Sequence, residues 1–170
     1  EALVSVHQGI RWTYREFQEH VDNLAKGLMA LGVEKGHRVG IWAMNYAEWV
    51  QVQFATAKIG AIMVNINPAY RTYELEYALK QSEIQTLIIQ GRFKTSDYVG
   101  MFYEACPEAY EAKPGRISSE KFPFLKNAVF MGDIPYHGMF TWNELLKKAE
   151  EITNDELIAR GDLLTFDDAI

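Results

Sequence analysis

Residues that staple or metallate a fold are scarce in this sequence: its 170 residues include one cysteine, Cys106, and four histidines, at positions 7, 20, 37 and 137. A lone cysteine excludes an internal disulfide and any thiolate metal centre, so Cys106, late in an apolar stretch and just before Pro107, reads as a small buried hydrophobe. The histidines stand apart from one another and from carboxylate partners, with no H-E-x-x-H pair, and read as surface or capping residues. A basic excess is missing too. With 17 Lys and Arg against 23 Asp and Glu, the net charge is -6, which argues against the phosphate-backbone footprint of a nucleic-acid binder. No apolar run approaches the ~18 residues of a membrane span, and the first residues have neither the basic region nor the apolar core of a signal peptide. Also absent are a G-x-x-x-x-G-K-S/T phosphate loop, a dinucleotide glycine fingerprint after the first apolar strand, and a G-x-S-x-G nucleophile elbow.

What is present is an alternation of strand-like and helix-like segments, clearest over residues 39–68. Residues 39–43 are a short apolar run. Asn45 and Glu48 then stand as an N-cap and its reciprocal carboxylate for a helix over 46–59, Gly60 falls where a left-handed residue ends a helix, and 61–66 is apolar and β-branched up to Asn67-Pro68. The pattern predicts a βαβ unit with parallel strands and a right-handed crossover. Only Glu48 and Lys58 are charged along that helix, so it is expected to be covered on both sides.

Around this unit the chain reads in order. Residues 2–7 and 10–12 flank Gln8-Gly9 as a small hairpin outside the parallel sheet. Thr13 and Glu16 form a capping box for a helix over 14–31, with Phe17, Val21, Leu24, Leu28 and Leu31 at helical spacing and Gly32 as its stop. Thr72 is expected to cap a helix that buries Leu75, Ala78 and Leu79, followed by a strand at 86–89. Ser96 is expected to cap a helix running to about Cys106. Residues 109–124 lose periodicity, 111–123 read as an exposed excursion, 128–131 as a fourth strand, and Thr141 with Glu144 as a capping box for a helix to about 152. Beyond Asn154 the register weakens. The predicted class is α/β: an incomplete doubly wound, mainly parallel sheet flanked by helices, with a small N-terminal β-hairpin, and residues 1–170 as one unit without an internal boundary. With no initiator Met and no polar tail, the chain is expected to be a piece of a longer protein.

Two places qualify as candidate sites. Arg92 and Lys94 lie in the loop leaving the third strand, where cations and the amides of a helix start could converge on an anion; the competing reading is two exposed basic residues bounding a loop. Asn67, Pro68, Tyr70 and Arg71 follow the second strand, where open α/β sheets expose their ligand crevice; the competing reading is a turn that only redirects the chain. Glu74 and Glu76 are two apart on one helix, do not face each other, and read as a solvated face. No residue is assigned a catalytic, cofactor-binding or metal-binding role on this basis.

The run WTYREFQEHVDNLAKGLMALGVEKGHRVGIWAMN resembles the first core signature of the acyl-activating, adenylate-forming (AMP-binding) enzymes, with Thr13, Tyr14, Glu16, Leu24, Ala25, Leu28, Gly32, Val33, Gly36, Arg38 and Val39 in matching places. ATAKIGAIMVNINPAYRTYELEYAL is similar to the second signature, through Lys58, Gly60, Ala61, Asn67, Pro68, Glu74 and Leu75. The Asn-Pro-Ala-Tyr ending resembles medium- and long-chain fatty-acyl-CoA synthetases more than peptide-synthetase adenylation domains. His37 stands where the family has Asp beside Arg38.

The resemblance covers essentially the whole chain and implies the N-terminal part of a larger ligase that adenylates a carboxylate and then forms a thioester. It implies ATP, CoA and Mg2+ as cofactors, and a fatty acid as substrate, for the full-length parent. The Ser/Thr/Gly-rich phosphate loop, the adenine-stacking aromatic, the ribose-binding acid and the catalytic lysine of the family have no counterpart among these residues. The chain by itself is therefore expected to be inactive and to take no cofactor. Should Arg92 and Lys94 face the CoA entrance, they would meet its 3'-phosphate. The implied location is the cytoplasm for a bacterial parent or the mitochondrial matrix for a eukaryotic one, with peripheral membrane contact compatible. An aryl- or amino-acid-adenylating enzyme is the alternative within the superfamily. A freestanding interaction or dimerisation module, self-associating through an uncovered sheet edge or helix face, is the alternative outside it.

Overall fold

The computed structural model describes residues 1–170. Strand β1 (Leu3–Ser5) pairs antiparallel with β2 (Ile10–Trp12) in a two-stranded sheet of its own, turned by Gly9 in the left-handed region at φ 68°. Helix α1 (Tyr14–Ala30) begins on the expected capping box, in which Glu16 N donates to Thr13 Oγ1 and Thr13 N donates back to Glu16 Oε2. Then come β3 (Arg38–Trp42), α2 (Ala47–Ile59) and β4 (Ile62–Asn65), the predicted βαβ unit, with Gly60 left-handed at φ 72° between helix and strand.

The remaining elements are α3 (Thr72–Gln81), β5 (Thr86–Ile89), a two-residue hairpin of β6 (Arg92–Phe93) and β7 (Ser96–Asp97), α4 (Tyr98–Ala105), α5 (Glu108–Glu111), β8 (Asn127–Phe130), β9 (Phe140–Thr141), α6 (Trp142–Lys147) and α7 (Asn154–Gly161). The main sheet has five strands, all parallel, in the order β4-β3-β5-β8-β9.

Alternation along the strands divides the interior into two cores. Val39, Ile41, Ile88 and Val129 face one layer, with Leu24 and Leu28 of α1, Val52 and Ile59 of α2, Leu145 of α6 and Leu157 of α7. Trp42, Leu87, Ile89 and Ala128 face the other, with Leu75 and Leu79 of α3 and Phe102 and Ala105 of α4. Period-two burial on both faces is what a sheet covered by helices on each side requires.

Several expectations are corrected. Asn45 does not cap α2. Tyr46 is the extended N-cap residue without a side-chain cap, and Gln8 from the hairpin takes the role: its Oε1 accepts from Ala47 N at 2.8 Å while its Nε2 donates to Glu48 Oε2 at 2.8 Å. Thr72 is the first residue of α3 rather than its cap, Arg71 preceding it with its N–H donating to Glu74 Oε2 at 3.0 Å. Ser96 likewise yields to Asp97, whose carboxylate accepts from Gly100 N at 3.0 Å. Helix α2 is covered by the sheet and by α1, but Phe54 is left half exposed. Residues 111–123 are not an exposed excursion. Ile117 and Phe122 are buried in the α3/α4 layer, because three apolar anchors at irregular spacing, Leu125 being the third, fold a loop back without any period. Helix α7, beyond the point where the register weakens, starts on a capping box of Thr153 and Glu156 and buries only Leu157.

Candidate functional site at the carboxyl edge of the sheet

The connections after β3 and β5 leave toward opposite layers, α2 on one side and α4 on the other, so the strand order reverses its winding between these neighbours. At such a switch point an open α/β sheet exposes its crevice beyond the strand carboxyl ends. Here the crevice is bridged. Gln90, buried directly after the last apolar residue of β5, accepts from Met44 N through Oε1 at 2.7 Å, and its own N–H donates to Trp42 O at 3.1 Å. Behind it, Gly91 and Gly132 lie against the Phe130 ring so closely that a Cβ would stand 3.1 Å and 2.7 Å from ring atoms.

The predicted anion site around Arg92 and Lys94 is filled from within. Arg92 Nη2 donates to Asp97 Oδ2 at 2.7 Å, and the same carboxylate caps α4 through Gly100 N, so Asp97 holds both positions an external anion would take. The Arg92 hydrogen bond and then the Gly100 N–H hold the Asp97 carboxyl below the usual carboxylate range. Lys94 is left-handed at φ 51° and lies over the Phe93 ring, 5.4 Å from its centre.

Asn67, Pro68, Tyr70 and Arg71 do stand together on the rim. Asn67 Oδ1 accepts from Ala69 N at 2.9 Å and its carbonyl accepts from Tyr70 N at 3.0 Å, an Asx-type turn that exposes Arg71. Two buried residues outside the sequence-level candidates reach this turn: Trp42 Nε1 donates to Asn67 O at 3.1 Å, and Tyr98 Oη donates to Pro68 O at 2.9 Å. Nothing local in the sequence points to those bonds, which join residues 25 and 30 positions apart.

The histidines are dispersed, as expected. His7 meets Tyr46 edge to face, His20 lies on Trp12, His37 Nδ1 accepts from Glu34 N at 3.1 Å, and His137 stacks on Tyr110. Arg38, without the family's neighbouring Asp, pairs with Glu83 at 3.1 Å. No group of three His, Cys, Asp or Glu is arranged to hold a metal ion. At both places the chain's own side chains supply the partners: Asp97 takes the helix start and Gln90 bridges the switch point.

The sequence profile of the AMP-binding enzymes, described as "AMP-binding enzyme", matches residues 1–154. The chain belongs to the AMP-binding enzyme family. Among its relatives in that family, the protein named acyl-CoA synthetase YngI from Bacillus subtilis is 42% identical over 170 residues, all of this chain and 31% of the relative. Medium-chain acyl-CoA ligase ACSF2, mitochondrial, from Macaca fascicularis is 40% identical over 146 residues, 86% of this chain and 24% of the relative. A crystal structure of a long-chain-fatty-acid CoA ligase from Rhodopseudomonas palustris superposes with a TM-score of 0.65 at 24% identity, over 81% of this chain and 30% of that one, and shows the shared fold. The chain thus spans less than a third of the length of the curated relatives it matches, 31% and 24% in the two cases named. No helix in it is long and apolar enough to cross a membrane.

Proposed function

We propose that this chain is the N-terminal part of the large domain of a fatty-acyl-CoA ligase, and that it supplies scaffold and one wall of the acyl-activating site. The observation that carries the reading is 42% identity along all 170 residues to a protein named acyl-CoA synthetase, of which those residues make up 31%. In the parent, a carboxylate would attack the α-phosphorus of ATP and expel pyrophosphate, and the CoA thiol would then displace AMP from the acyl-adenylate to leave a thioester; Mg2+, where bound, would offset phosphate charge. The residues of this chain act there by position and exclusion: the carboxyl edge of the sheet fixes loop backbones beside the reacting groups, which is where most of the rate of such a transfer originates. The CoA 3'-phosphate is not assigned to Arg92, whose guanidinium is engaged by Asp97.

The reading places the activity in the whole protein and none of it in the 170 residues alone, located in the cytoplasm of a bacterium or the mitochondrial matrix of a eukaryote. The test measures AMP and pyrophosphate release from ATP, CoA and a medium-chain fatty acid. Turnover by the full-length protein and none by the isolated chain is the expected result. Release of AMP by the chain alone would overturn the division of labour, and an inactive full-length protein would overturn the ligase assignment.

A further inference from the structure

Trp42 closes β3, one of the two strands at the switch point, Tyr98 opens α4, which follows the other, and both side chains are fully buried. Their rings meet edge to face, with centres 4.6 Å apart at 85°. Buried indole N–H and phenol O–H groups need acceptors, and these two find theirs on successive carbonyls of one loop, Asn67 O at 3.1 Å and Pro68 O at 2.9 Å. The Tyr98 hydroxyl, protonated at neutral pH even at its ordinary value and pushed higher by burial, is free to donate. Core packing alone would be satisfied by Phe in place of Tyr98, which keeps the ring and drops only the hydroxyl. The donors instead fix the path of the loop that carries Tyr70 and Arg71 over the carboxyl end of β3.

We propose that Trp42 and Tyr98 are positioning residues for acyl activation, a pair of aromatic latches that hold loop 67–71 where the sheet meets the substrate in the full-length enzyme. The inference rests on the ligase reading above. Residues whose own rotamers are locked by packing are suited to this task, because a small shift of a site wall costs alignment while leaving binding in place.

The test uses Tyr98→Phe, which removes one oxygen and leaves the ring on Trp42, with Trp42→Phe as the second variant. In the 170-residue chain, amide exchange at Ala69 and Tyr70 is expected to rise about tenfold in Tyr98→Phe, the scale of one lost buried hydrogen bond, with amides of β3 and β5 unchanged. In the full-length enzyme, kcat is expected to fall about tenfold with the KM for the fatty acid unchanged, since misalignment loses transition-state interactions that the ground state does not use. Unchanged exchange in both variants would overturn the latch. Faster exchange with an unaltered kcat would overturn its positioning role. A wild-type full-length protein without turnover would remove the ligase reading and the role built on it, and the exchange result would separate that failure from a failure of the latch.

Discussion

Gly27, in the last turn of α1, passes so close to α6 that an added Cβ would lie 2.5 Å from the Leu145 carbonyl oxygen. Helix propensity alone predicts a gain of about 1 kcal/mol for Gly27→Ala. The contact reverses the sign, because backbone rather than a flexible side-chain end would have to move. A loss of about 1–3 kcal/mol is expected, the usual range for forcing volume into a packed interior, read as a lower midpoint in urea denaturation. A midpoint at or above wild type would show that α1 and α6 are not in contact at this glycine. Cys106 gives a second residue-level test. Burial pushes its thiol up to about 11, so the reactive thiolate is scarce in the native protein near neutral pH. Alkylation by iodoacetamide at pH 8 is expected to be slow in the folded chain and fast in urea; equal rates would place the thiol on the surface.

At the scale of elements, the connection between the hairpin and α2 is tested through Gln8. Its side chain satisfies Ala47 N and reaches Glu48, so Gln8→Ala leaves the start of α2 uncapped and unties the hairpin. The expected cost is about 1–2 kcal/mol, as for other N-cap losses, with faster exchange at the Ala47 amide. A stability equal to wild type would return the capping role to solvent. This case also shows what was legible beforehand. The caps of Thr13 with Glu16 and Thr141 with Glu144 are local, three residues apart, and both were readable and both formed. The cap of α2 comes from 39 positions away, and no window along the chain contains it. Helix α7 was missed for a different reason. Its Thr153-x-x-Glu156 box was present, but a helix that buries only Leu157 leaves no apolar period to read. The parallel core, by contrast, was legible because strands buried on both faces appear as short continuous apolar runs. The candidate site was half legible. Asn67 to Arg71 was placed at the carboxyl edge by order alone, whereas its anchoring by Trp42 and Tyr98 depends on which polar atom of a buried aromatic finds a carbonyl, a tertiary fact.

The whole molecule carries its titration behaviour at two ends of the pH scale. Five carboxyls are held below their ordinary values: Glu16 by the Thr13 N–H, Asp97 by Arg92, Glu108 by its own N–H, Glu156 by the Thr153 hydroxyl and Asp168 by Lys35. A carboxyl lowered in the folded state binds its proton more readily in the unfolded chain. Its stabilisation is therefore complete above about pH 5 and is lost as the pH falls through the folded value. At the other end, burial raises Cys106 to about 11, Tyr103 to about 12 and Tyr98 above its ordinary value, so the folded protein holds protons that the unfolded chain releases earlier. That contribution is present below the unfolded values, near 9 and 10, and disappears as the pH climbs through the folded ones. The thermal midpoint is accordingly expected to be flat between about pH 5 and 9, to fall on the acid side through the carboxyls and on the alkaline side through Cys106, Tyr98 and Tyr103. Cys106→Ser is expected to flatten the first part of the alkaline decline and leave the acid limb in place, because the two limbs arise from different groups. Melting curves across this range decide it: an unchanged midpoint down to pH 3, or an alkaline limb indifferent to the Cys106 substitution, would mean that these groups are not held as the fold places them.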